Sequence, residues 1–340
     1  MMTLLPAIFI LLLLLLGPLL IAPIERNLEA WCILLGLAAA TFARVWSAEL
    51  IAQAAAAPIA ITIAVIIAGT LFAQFRGRLD QGFERLRRRV SRAALTGASI
   101  VAIGLLSSLI SAIVAALLLV EAIAMLRLGS SVRVRVAVAG CFAIGLGSAL
   151  TPAGGPFSAI VASSLQLNFF ALLVMLGPWL IPGVATSALI AAWCARGDYD
   201  LIAEAVAPRE RVRDAIMQGV KVFAFVAGLA LISAAYAPMA AHWVPHLGAT
   251  TLFWGNTVSA ALDNATLAAI EAHGLPAGRI RPALLSMVIS GGMLIPGNLP
   301  NIVCAGALRI RSGEWSRVGI PIGVAMLGIC FAVLALVSRG

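Results

Sequence analysis

Two apolar stretches of this chain carry paired prolines and glycines at their centres, and this limits the possible folds more than any other feature. Val132 to Leu167 contains GLGSALTPAGGPF, and Pro282 to Leu308 contains GGMLIPGNLPNIVCAG. Proline removes a backbone donor and clashes with the preceding turn, while glycine accepts backbone angles that helices exclude. Neither stretch can stay helical from end to end. Non-helical backbone at membrane depth survives only where protein buries it or where it lines a cavity. Both stretches are therefore read as spans broken in the middle.

The surrounding composition makes the membrane the relevant solvent. Of 340 residues, 62% are hydrophobic and 11% charged, and the mean hydropathy is +1.07. That describes a polytopic all-α membrane protein with one membrane domain. A net charge of +9 would suggest nucleic acid in a soluble chain. Here membrane topology accounts for it, and no nucleic-acid partner is expected. The first apolar run, Thr3 to Ile24, has no Lys or Arg before it and Glu25 and Glu29 after it, which fits a retained helix better than a cleaved signal. The five cysteines lack metal spacing and read as small packing residues. No hydrolase, kinase, nucleotide-loop or metalloprotease pattern occurs, so neither an enzyme nor a cofactor is expected.

Taken in order, residues 1–75 form N-terminal transmembrane scaffold helices, with spans at Thr3 to Ile24, Leu28 to Ala43 and Leu50 to Gln74. Residues 76–92 hold seven arginines against two acids and form a basic cytoplasmic linker facing anionic lipid. Residues 93–195 make a first transport repeat, 196–214 a cytoplasmic loop, and 215–340 a second repeat. Ala93 to Leu126 would be about 51 Å long as one helix, too long for one crossing of roughly 30 Å and too short for two. It is read as a re-entrant hairpin with its tip at Ser107 to Ala112. Gly248 to His273 is a second hairpin.

Charge distribution selects this layout. If both hairpins return to their starting side, 19 of the 23 Lys and Arg residues share one face; counting each hairpin as a crossing leaves 11 against 12. The positive-inside rule favours the first arrangement and puts both termini outside the cytoplasm. The two halves also align. GSALTPAGGPFSAIVAS (147–163) lies on GGMLIPGNLPNIVCAGA (291–307), matching Gly147 to Gly291, Pro152 to Pro296 and Pro156 to Pro300. Each half is then a hairpin followed by a discontinuous helix, and the halves are inverted, as in secondary transporters.

Inside the second hairpin sits Asp263, which costs about 2.5–3.5 kcal/mol at the bilayer centre and so asks for a role. Neither hairpin tip nor the broken centre of either span offers a Lys or Arg to pair with it, Arg133 and Arg135 lying at the start of the first span. Asn256, Ser259, Asn264 and Thr266 surround it in sequence with oxygen donors, and Asn298 and Asn301 follow at the break. Together they read as a cation and proton site, with Asp263, Asn264 and Asn298 as Na+ ligands. Asn264, Asn298 and Asn301 also suit half-helix capping, which is compatible with ligation. Ser111, Ser148 and Thr151 are the first half's counterparts, with Ser158 beside them, and helix packing is their alternative role. Glu121 is either a carboxylate paired near Arg127 or a proton relay. Lys221 reads as snorkelling to the cytoplasmic interface.

TPAGGP in one half, with SAALDNATL and IPGNLPNIVCAGALRI in the other, resembles the ion transporter superfamily, closest to its predicted cation transporters and NhaD-type sodium/proton antiporters. The resemblance covers roughly residues 93–338. It implies a homodimeric alternating-access exchanger in a prokaryotic plasma membrane, with the site at the two hairpin tips and the two breaks. Asp263 and Asn264 match the acidic and amide pair at the second tip, and Asn298 and Asn301 the amides at the second break. The dicarboxylate branch carries Ser-Asn-Thr at both tips. This chain has Ser111-Ala112-Ile113 and Asp263-Asn264-Ala265 instead. The function expected is exchange of Na+ or Li+ for H+, the two competing for Asp263. The alternatives are Na+-coupled symport of a small anion and a membrane scaffold or sensor without transport.

Overall fold

The computed structural model describes residues 4–21, 23–24, 27–56, 58–59, 62–63, 66–67, 90–197, 212–243, 246–257, 264–271 and 277–337. Among these the regular structure is entirely helical. Helices α1 (Leu4–Leu20) and α2 (Leu28–Ala43) lead. Next come α3 (Arg92–Ile110), α4 (Ala112–Leu126), α5 (Ser130–Ser148), α6 (Pro156–Ser164) and α7 (Ala171–Cys194). They are followed by α8 (Val212–Trp243), α9 (Ala249–Gly255), α10 (Asn264–Glu271), α11 (Ala277–Ser290), α12 (Leu299–Leu308) and α13 (Ser312–Val337). Five helices among the described residues are long and apolar enough to cross a membrane, so the chain is an integral membrane protein of all-α class.

Local chemistry accounts for the interruptions. Ser111 alone separates α3 from α4, with φ 73° and ψ 149°, a conformation a non-glycine residue adopts only when its surroundings hold it there. Residues 149–155 separate α5 from α6, and Pro156 opens α6. Pro at a first helical position costs nothing, because its missing N–H would have had no helical partner. A single 3-10 turn, Ile295–Gly297, lies between α11 and α12, and Pro300 sits in the first turn of α12. The final helix starts at Ser312, six residues before the apolar run beginning at Val318, because Ser312 and Trp315 are buried and continue it.

Two bodies of packing follow. In the first, α8 lies along α2 and α1 through a core that includes Leu35, Phe225 and Ile232. The α2–α8 crossing is close: a Cβ on Gly36 would come within 2.6 Å of the Gly228 carbonyl oxygen. Tyr236 ties α8 to α1 by donating to the Ala7 carbonyl at 2.6 Å. Lys221, expected to snorkel to the interface, is half-exposed and pairs with Glu29 at 3.0 Å.

In the second body α5 is the central pillar. Its apolar window is 72% buried, against 17% for that of α13. The peripheral helices α7 and α13 expose Val174, Leu189, Ile329 and Leu336, the surface expected toward lipid. Two packing relations cross between the halves of the chain. Helix α12 lies on α4 and α5, where the Cys304 thiol donates to the Ala116 carbonyl (3.5 Å) and the Cys141 thiol to that of Pro300 (3.6 Å). Helix α6 lies on α10. The two helices that follow breaks, α6 and α12, therefore each rest on a short helix from the other part of the chain, α10 and α4.

Glycine at the α2–α8 crossing should be irreplaceable, while glycine in open space should not. Gly36→Val is expected to cost roughly 2–3 kcal/mol and to lower the melting temperature of the detergent-solubilised protein. Gly328→Ala, where a Cβ meets nothing within 4 Å, should stay within about 1 kcal/mol of the parent.

Candidate functional site

The break between α11 and α12 frees backbone carbonyls in a fully buried place, and side chains take them up. Asn301, 0% exposed, donates both amide hydrogens, to Gly291 O and Leu294 O, each at 2.8 Å. The indole of Trp315 donates to Gly292 O at 3.2 Å. Because both carbonyls are acceptors, the Asn301 amide cannot turn over without setting its oxygen against them. Its Oδ1 is thereby fixed on the opposite side, buried and without a hydrogen-bond partner among the described residues. A buried amide oxygen left unmatched costs about 1–3 kcal/mol, which a ligand would recover.

Two further amides converge on this break. Asn264, the first residue of α10, is buried, and its Nδ2 would lie 3.3 Å from a Cβ placed on Gly291. Asn298 occupies the N-cap position of α12, but its side chain makes no capping bond. It reaches across to α5, where a Cβ on Gly145 would fall 2.7 Å from its Nδ2. Ser148 is on the same turn of α5 and donates to Gly145 O at 3.1 Å. Asn264, Asn298 and Asn301 thus gather around the second break, and Asn298 links it to the end of α5 beside the first.

The first break is stapled to the α3–α4 turn. The Thr151 hydroxyl donates to Ser108 O, and the Ala112 amide donates to Gly154 O at 2.7 Å. Ser107 donates to Gly104 O and Ile144 O, at 2.6 and 3.1 Å. Ser158 donates to Gly155 O at 3.0 Å. Ser148, Thr151 and Ser158 spend their hydrogens on carbonyls and keep oxygen lone pairs as acceptors. Ser111 sits at the turn itself, its side chain making no capping bond.

Asp263 and Ser259 lie outside the described residues, as does the side chain of Thr266, whose backbone is in α10. Asn256 has a different task from the other amides. It closes α9 and donates to Glu271 Oε2 at 3.2 Å and to Ala283 O at 3.4 Å, while its own carbonyl accepts from Ser290 at 2.9 Å. Its amide hydrogens are spent there, which makes it a positioning residue for Glu271.

Glu271, 3% exposed at the end of α10, is a buried carboxylate absent from the site residues expected above. A signal was available: IEA at 270–272 repeats the VEA at 120–122 around Glu121. Glu121 itself is half-buried on α4, which Arg127 closes in a left-handed conformation. No cluster of three His, Cys, Asp or Glu forms among the described residues, so the donors at the breaks are amide, hydroxyl and carbonyl oxygens. Such oxygens suit a hard cation.

Comparison with known proteins gives a family and no activity. The chain belongs to the DUF1646 family of proteins of unknown function, whose model matches residues 4–337. No curated protein matches it.

If the Asn301 amide holds the break, Asn301→Leu, similar in size but unable to donate, leaves Gly291 O and Leu294 O without it. A destabilisation of roughly 3 kcal/mol is expected, read as a lowered melting temperature. Asn298→Ala should leave the melting temperature nearly unchanged, since that side chain caps nothing.

Proposed function

We propose that this DUF1646 protein is a secondary active transporter that exchanges Na+ or Li+ for H+ by alternating access. The observation that carries the reading is the orphaned Asn301 Oδ1. It is a rigidly aimed, fully buried acceptor at a helix break where Asn264 and Asn298 also converge. A dehydrated monovalent cation needs such neutral oxygens around one negative charge, and Asp263, adjoining Asn264 in sequence, supplies that charge. Cation and proton then compete for the same carboxylate, and that competition couples the two fluxes.

The wider architecture belongs to the same proposal. The two halves, residues 93–195 and 215–340, act as inverted repeats, each with a re-entrant hairpin and a discontinuous helix. The crossed packing of α12 on α4 and of α6 on α10 supports this, since a two-fold axis relating the halves would produce both. Helices α1 and α2 serve as scaffold, and α8, the first helix of the second half, packs along α2 and also touches α10 and α12. The positive-inside count puts both termini outside a prokaryotic plasma membrane, and the functional unit is a homodimer. Symport of an anion is disfavoured because no Arg or Lys enters the hydrogen-bond network of the breaks among the described residues.

Proteoliposomes with an internal pH dye test the proposal. External Na+ or Li+ should trigger an internal pH change that K+ does not, and Asp263→Asn should abolish it. Asn298→Ala should raise the apparent KM for Na+ by about tenfold, as expected for loss of one ligand worth roughly 1.4 kcal/mol. Anion uptake driven by Na+ with no pH change would replace exchange with symport.

A further inference from the structure

Glu271 is a second ionisable group near the site, and its surroundings set it apart from a structural ion pair. Its one hydrogen-bond partner among the described residues is neutral, the amide of Asn256. It forms no ion pair with any described residue. The elements packed against α10 are α6, α8 and α11. Helix α6 has no titratable residue, and neither does α9, which supplies Asn256 through its cap. Helix α11 carries Arg279, whose Nη1 donates to Leu247 O, and Arg281. Helix α8 carries Arg213, Asp214 and Lys221 in its first three turns, then Tyr236, bonded to Ala7 O, and His242. On its own chain the nearest titratable neighbours are Asp263 and His273, outside the described residues.

Bonds lead from this carboxylate to the second break. Asn256 Nδ2 donates to Glu271, and the Asn256 carbonyl shares the hydroxyl hydrogen of Ser290, the last residue of α11, with Ser286 O (2.9 and 2.7 Å). Ser290 precedes Gly291, whose carbonyl accepts from Asn301. Asn264 opens the same short helix that Glu271 closes. A permanently charged carboxylate with no ion pair is strongly disfavoured in an apolar interior and gives nothing back. One that exchanges a proton can pass that change of charge to the break.

We propose that Glu271 is a proton-binding site distinct from Asp263, and that the Asn256–Ser290 path couples its protonation to cation occupancy at the second break. The coupling rests on the exchange reading above; the proton site itself does not. Asn256 positions the carboxyl through its amide.

Two measurements test this. In purified protein, an infrared pH titration should show a carboxylic C=O signal in the parent that grows as pH falls and is missing in Glu271→Gln. In proteoliposomes, the pH dependence of the apparent KM for Na+ should be shallower in Glu271→Gln by about tenfold per pH unit. Glu271→Asp, still titratable, should restore the slope and shows that the site tolerates substitution. Absence of the signal from the parent overturns the proposal, and so does an unchanged slope in Glu271→Gln. A parent that shows the signal but no Na+-driven pH change leaves the proton site standing and removes the exchange reading.

Discussion

The need to satisfy backbone groups freed inside a membrane protein governs this structure. Where a helix breaks at membrane depth, no water is at hand for its carbonyls, and each must find a protein partner. At the second break Asn301 and Trp315 serve three carbonyls. At the first, Thr151 and the Ala112 amide join the break to the turn between α3 and α4. These bonds make the unwound segments as specific as the helices. They also produce the site, because an amide that spends both hydrogens on carbonyls must aim its oxygen elsewhere.

The same economy explains the division of labour among the polar residues. Asn301 holds the backbone and exposes one oxygen to the interior. Asn298 stands in a capping position without capping, and so remains free to reach α5. Asn256 positions Glu271 and, through its carbonyl, the end of α11. Three asparagines of similar sequence context thus carry three different tasks, set by which backbone groups surround each one.

The packing gives the proposed motion something to act on. The α2–α8 interface is tight, with glycines in direct backbone contact and an ion pair at one end, as suits an element that stays still. The short helices α10 and α12 meet α8 and also line the second break. Movement of the broken segments relative to α8 would therefore reshape the cluster of amides, whereas movement within the α1–α2–α8 body would not.

Sequence alone determined the class, the candidate breaks and their residues, because hydropathy and proline act locally. Pro152, Pro156, Pro296 and Pro300 fall at breaks, whereas Pro178, Pro182, Pro238, Pro282 and Pro321 stay inside helices, so proline marks candidate breaks and packing selects among them; a carboxylate in an apolar run stands out without coordinates. A break near Ser111 was legible from length, since 34 apolar residues are too long for one crossing helix. Tertiary structure decided the partners. Which carbonyls Asn301 serves, that Asn298 faces Gly145, and that α12 rests on α4 all depend on segments far apart in the chain. Glu271 too owes its burial to such segments. Near His273 and Gly274 it resembles an interfacial residue, and only the packing of α9, α10 and α11 buries it, because burial is a property of neighbours and not of the residue.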